Sequence, residues 1–112
     1  MEEIQEQWMH KIRKLAPKLQ DAEFQVFVAE AEMKKLNAKL RLIATSKGCK
    51  TVSAQEVFAE NTNEMYEARI NLGKNKGALM GLKVQLKALE VGFDEWRTKM
   101  VNSREEQKRY GA

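Results

Sequence analysis

The 112-residue chain has one cysteine, one histidine, one proline and no long apolar run. A single cysteine, Cys49, excludes an intrachain disulfide and is typical of a reducing compartment. No apolar run approaches the roughly 20 residues that a membrane-spanning helix needs. The first residues, MEEIQEQ, are acidic and unlike a secretion signal. We therefore expect a cytoplasmic protein without a membrane partner.

The scarcity of histidine and cysteine also limits the chemistry that the chain can perform. One residue of each type cannot form a CxxC or HExxH metal site. His10 lies one turn from Glu6 and Lys14, which is typical of a surface histidine. The segment GKNKG at 73–77 lacks the spacing of a phosphate-binding loop, and no pair of glutamates lies in an apolar setting suited to acid–base catalysis. We expect no enzymatic activity, cofactor or metal.

Two interleaved seven-residue repeats run through the first half of the chain. Their members are Ile12, Leu19, Val26, Met33 and Leu40 in one, and Trp8, Leu15, Ala22, Ala29, Leu36 and Ile43 in the other. Such repeats predict a helix with a coiled-coil seam. Pro17 interrupts this helix and removes one backbone hydrogen bond, so we predict a kink or a break there.

A loop and a second heptad pattern follow. Gly48 suits a chain reversal, Ser53 and Glu56 have the spacing of a capping box, and Asn61 and Asn63 predict a further break. The second seam contains Phe58, Met65, Leu72, Leu79, Leu86, Phe93 and Met100, together with Ala68, Leu82, Leu89 and Trp96. Two such helices joined by a short loop predict a single all-α domain over residues 1–112, a long antiparallel helical hairpin.

Three glycines interrupt the second helix at intervals of four residues, where each costs about 1 kcal/mol relative to alanine. They belong to a small, apolar stripe away from the seam, called here the glycine face: Ile70, Gly73, Gly77, Met80, Gly81, Val84, Ala88 and Val91. A helix that is apolar on two sides is normally buried on both, and glycine lets another backbone approach closely. The stripe predicts a homo-oligomer interface. The alternative is a locally weak, flexible helix.

Basic residues are segregated along the chain. The segments 33–55 and 68–89 hold eleven basic and no acidic residues, whereas the remainder holds nine basic and sixteen acidic residues. This asymmetry favours an anionic partner such as single-stranded nucleic acid, although a solvated helix surface would also produce it. The candidate nucleic-acid contacts are Lys34, Lys35, Lys39, Arg41, Lys47, Lys50, Lys74 and Lys76. Most aromatic residues lie on or beside the seams, and only Phe27, Tyr66 and Tyr110 are free to stack on bases, so we expect binding dominated by the phosphate backbone.

The segment EAEMKKLNAKLRLIATSKG at 30–48 resembles the phage recombination mediators of the UvsY type, and the resemblance extends through KTVSAQEVFAENTNEMYEA over residues 20–109. It implies a small helical oligomer that helps a RecA-like recombinase load onto single-stranded DNA coated by a single-strand-binding protein, in DNA recombination and replication in the host cytoplasm. Its DNA-contacting basic helix would correspond to Lys34, Lys35, Lys39 and Arg41. The alternative function is a small protein-interaction module, such as an inhibitor of a host or defence enzyme.

Overall fold

The structure, a computed structural model, describes residues 2–109. Over that range the chain forms three helices and no strand: α1 (Glu2–Ser46), α2 (Val52–Glu60) and α3 (Asn63–Arg109). This confirms the predicted all-α helical hairpin. Two compact units are present, one formed by Gln20–Met80 and the other by the residues up to Leu19 together with those from Gly81 onward.

The heptad seams are the packed surfaces of the helices, because every predicted seam residue is buried or half-buried. In the Gln20–Met80 unit the core consists of Leu40, Ala59 and Met65, with Met33, Leu36 and Ile43 packed against it. The end of α1 therefore contacts α2 and the beginning of α3, as an antiparallel hairpin requires.

In the other unit, aromatic seam residues join the beginning of α1 to the later part of α3. The rings of Trp8 and Phe93 are 6.4 Å apart, and those of Phe93 and Trp96 are 6.0 Å apart. A Cβ atom at Gly92 would lie 2.8 Å from Cη2 of Trp8, so glycine at this position admits the indole ring. The backbone of α3 thus comes close to the side chain of α1 at this point.

Pro17 does not break the first helix: α1 is continuous from Glu2 to Ser46, so the predicted alternative of a break is wrong, whereas the kink stays a prediction. Proline removes one helical hydrogen bond, but Leu15 is buried and Leu19 is half-buried on either side of it. Tertiary packing of a long apolar stripe outweighs this local cost. The predicted break near Asn61 and Asn63 is confirmed, since α2 ends at Glu60 and α3 begins at Asn63.

The turn between α1 and α2 is tightly hydrogen-bonded. Gly48 has a φ of 97°, and the Cys49 amide donates to the Ala44 carbonyl at 3.0 Å, which closes α1 with a left-handed glycine cap. The Thr51 hydroxyl then caps α2 by accepting from the Ala54 amide at 3.1 Å. The predicted capping box of Ser53 and Glu56 is wrong. Ser53 lies inside the first turn of α2, and the Glu56 carboxylate pairs with Arg41 instead.

Leu40 and Leu42 test how much of the stability comes from the seam, because Leu40 is 4% exposed and Leu42 is 74% exposed on the same helix. We expect Leu40→Ala to lower the free energy of unfolding by about 2–5 kcal/mol, since it leaves a cavity. The control Leu42→Ala should change it by less than about 0.5 kcal/mol. Urea unfolding followed by circular dichroism measures both, and equal decreases would contradict the assigned seam.

The cap of α2 gives a second test. Thr51→Ala removes the hydroxyl that accepts from the Ala54 amide, so the free energy of unfolding should fall by about 1 kcal/mol. Ser53→Ala is the matched control and should have a smaller effect, because Ser53 lies inside the first turn. If urea unfolding showed a larger decrease in the free energy of unfolding for Ser53→Ala than for Thr51→Ala, the result would support the capping box of Ser53 and Glu56 instead.

Candidate nucleic-acid interface

The predicted basic contacts lie on α1, in the loop that follows it, and on α3. Lys34, Lys35, Lys39 and Arg41 lie on α1, Lys47 and Lys50 follow its end, and Lys74 and Lys76 lie on α3. All of these lysines are exposed, whereas Arg41 is half-buried. The lysine charges are therefore accessible to a partner from solvent.

Two basic residues in these segments are already paired with carboxylates. Arg41 Nη2 lies 2.9 Å from Glu56 Oε1, and Arg69 Nη2 lies 3.1 Å from Glu60 Oε1. Half-exposed pairs of this kind stabilise a fold by about 0–1 kcal/mol. Among the residues that the structure describes, the lysines of both segments have no carboxylate within ion-pairing distance. Lys47 instead places Nζ 5.5 Å from the centre of the Phe58 ring.

The basic residues of α1 do not share one face. Lys34 and Arg41 are seven residues apart, and both line a cleft that also includes Arg69 of α3. Lys39 follows Lys34 by five residues, a rotation of roughly 140° about the helix, so it projects from another side. Lys35 and Lys39 are not among the residues that line the cleft.

The cleft has a volume of about 370 Å³ and lies where α1, α2 and α3 meet. Its charged and polar lining consists of Lys34, Asn37, Arg41, Glu56, Glu60 and Arg69, and Met33 and Met65 complete it. The predicted contacts include neither Arg69 nor Asn37. The helical spacing of Asn37, three residues after Lys34 and four before Arg41, is the sequence signal that places it on this face.

Exposed aromatic rings accompany the basic residues. Phe27 and Tyr66 are 65% and 62% exposed, in agreement with their predicted position off the seams, and Phe24 is a further exposed ring that the heptad analysis missed. Phe27 precedes Lys34 by seven residues and therefore lies on the same side of α1 as the cleft. Tyr110 lies outside the described residues.

The glycine face of α3 is exposed, as predicted. A Cβ atom added at Gly73, Gly77 or Gly81 would have no neighbour within 4 Å. The large apolar side chains of this face, Ile70, Met80, Val84 and Val91, are all exposed as well. Helix α3 therefore has one apolar stripe in the seam and a second one that no described residue covers.

Comparison of the chain with protein-family models, with curated proteins and with solved structures finds no match. None of the described helices combines the length and the hydrophobicity that crossing a membrane requires. In the described part of the chain, no three histidine, cysteine, aspartate or glutamate side chains cluster in a way that would hold a metal ion. The candidate site is thus defined by cations, two carboxylates and exposed aromatic rings.

Proposed function

We propose that the protein is a non-enzymatic accessory factor that binds single-stranded DNA in phage recombination or replication. The observation that carries this proposal is the set of exposed lysines in segments 33–55 and 68–89, which have no carboxylate partner among the described residues. Assistance to a RecA-like recombinase on a strand covered by a single-strand-binding protein is the part that the UvsY-type resemblance contributes. Neither a cofactor nor a metal takes part.

A lysine that contacts a phosphate releases counterions from the strand, so the binding affinity falls as the salt concentration rises. Because these contacts do not involve the bases, binding tolerates any sequence. Phe27 and Tyr66 supply exposed rings on which unpaired bases stack. Several copies of the surface in one oligomer would raise the avidity without new contacts. Together these features favour a function in binding and ordering a single strand without sequence specificity.

Removing two basic side chains of α1 tests the DNA-binding surface. We expect Lys39→Ala with Arg41→Ala to weaken binding of a fluorescent single-stranded oligonucleotide. The slope of log affinity against log salt should become shallower by about 0.7 for each phosphate that the variant no longer neutralises. Fluorescence anisotropy across a salt series measures both the affinity and the slope.

The matched control is Lys14→Ala with Lys18→Ala, which removes two exposed charges of the same helix outside both basic segments. Its slope should change less than that of the first double variant, and circular dichroism should show unchanged helicity in both. Equal changes in the two double variants would contradict the assigned surface. Absence of strand binding by the unaltered protein at low salt would overturn the proposed function.

The glycine face is proposed as the contact with a second copy of the chain. Its glycines have open space above them, so a second backbone can approach closely there. We expect Gly77→Leu to hold the backbones apart and shift the sedimentation profile toward the monomer. Ala78→Leu is the control, because Ala78 is exposed but projects roughly 100° away on the same helix. An unaltered profile for Gly77→Leu would favour the weak-helix alternative.

The protein-interaction alternative is favoured by exposed apolar side chains near the turn between α1 and α2. Leu42 of α1 and Val57 of α2 are both largely exposed. Exposed apolar side chains of this kind are suited to contact with a protein rather than with phosphates. A protein that fails to bind the oligonucleotide at low salt but still self-associates would support this alternative.

A further inference from the structure

The cleft between α1, α2 and α3 lies entirely within the Gln20–Met80 unit and carries an excess of positive charge. Its cations are Lys34, Arg41 and Arg69, and its carboxylates are Glu56 and Glu60. The Arg41 side chain is 37% exposed, so part of it can be reached from solvent. An anionic group is the ligand chemistry that such a cleft favours.

Arg41, one of the residues that line the cleft, has one donor without an acceptor among the described residues. Its Nη2 donates to Glu56 Oε1 at 2.9 Å, whereas its Nε atom is buried and no described residue accepts from it. A buried N–H group without an acceptor is unfavourable, so an oxygen atom that reached it would be bound with a net gain. The planar guanidinium fork matches the geometry of two oxygen atoms on one phosphate.

We propose that this cleft binds one phosphate group of a single strand, held between Arg41 and Arg69. The Asn37 amide and the Lys34 ammonium group supply further donors within the same lining. This inference rests on the proposed function and assigns the position at which the strand is held most firmly. Exposed lysines elsewhere make looser contacts on either side of it.

Glu56 and Glu60 act as the internal counter-ions of the cleft. Each pairs with one arginine, at 2.9 and 3.1 Å, and both glutamate side chains are more than half exposed. Pairs that are exposed to this degree are weak, so a phosphate can compete for the same guanidinium groups. Both glutamates lie on α2.

The first measurement follows the Nε–H resonance of Arg41 by NMR while oligothymidylate is added to the full-length protein. We expect this resonance to shift as the strand binds, because its proton gains a phosphate oxygen as acceptor. A parallel titration with inorganic phosphate at constant ionic strength separates the two sources of the phosphate group. Free phosphate should shift the resonance less, since it lacks the flanking lysine contacts of a strand.

Two pairs of variants with equal charge changes complete the test. Arg69→Gln should lower the affinity for oligothymidylate about tenfold, because it removes a charge-assisted contact, whereas Lys83→Gln should have a smaller effect. Glu60→Gln should raise the affinity by more than Glu67→Gln, because Glu60 pairs with the cleft residue Arg69. Circular dichroism confirms that each variant remains helical.

The outcomes separate this inference from the function on which it rests. If oligothymidylate binds but the Arg41 resonance does not move and Arg69→Gln behaves like Lys83→Gln, the cleft assignment is overturned and the proposed function stands. If the strand does not bind at low salt, both are overturned. If inorganic phosphate shifts the resonance and oligothymidylate does not, the cleft holds free phosphate and its assignment to a strand is wrong.

Discussion

When two helices pack side by side, each can bury only one apolar stripe along its length. This geometric limit determines how much of the helix surface remains exposed to solvent. The seam residues use that stripe, and Leu40, Ala59 and Met65 form the core of the Gln20–Met80 unit. No large side chain among the described residues is fully buried. Most of each helix surface therefore faces solvent, and its composition is available for binding rather than for folding.

Electrostatics divides that remaining surface into paired and unpaired charges. The two arginines of the basic segments pair with glutamates of α2, whereas the lysines have no such partner among the described residues. Arginine presents a fork that fits a carboxylate or a phosphate, whereas lysine is a flexible point charge. The arrangement therefore separates two paired arginines, which line one cleft and between which we propose that one phosphate group binds, from exposed lysines that are suited to attracting a polyanion without fixing its position.

The fold was largely predictable because seven-residue periodicity reports directly on burial. Every predicted seam residue is buried or half-buried, and the break near Asn61 and Asn63 is present. Pro17 left a kink and a break as alternatives, and the break did not occur because packing along the seam outweighs the local cost of proline. The capping box failed for a tertiary reason, since Arg41 approaches Glu56 across fifteen residues of sequence and a local motif cannot anticipate that contact. The candidate site was predictable only in its charge. The positive segments include Lys34, Arg41 and Arg69, but only the meeting of three helices shows that these side chains line one cleft together with Asn37.

The glycine face and the basic residues of α3 share one helix, and this links the two proposed activities. Lys74 lies next to Gly73, and Lys76 lies next to Gly77, so two copies that meet at the glycine face bring like charges close together. In the proposed oligomer, repulsion between them would oppose association until an anion neutralised it. A bound strand would therefore favour the oligomer, and by linkage the oligomer would bind a strand more tightly than the monomer does.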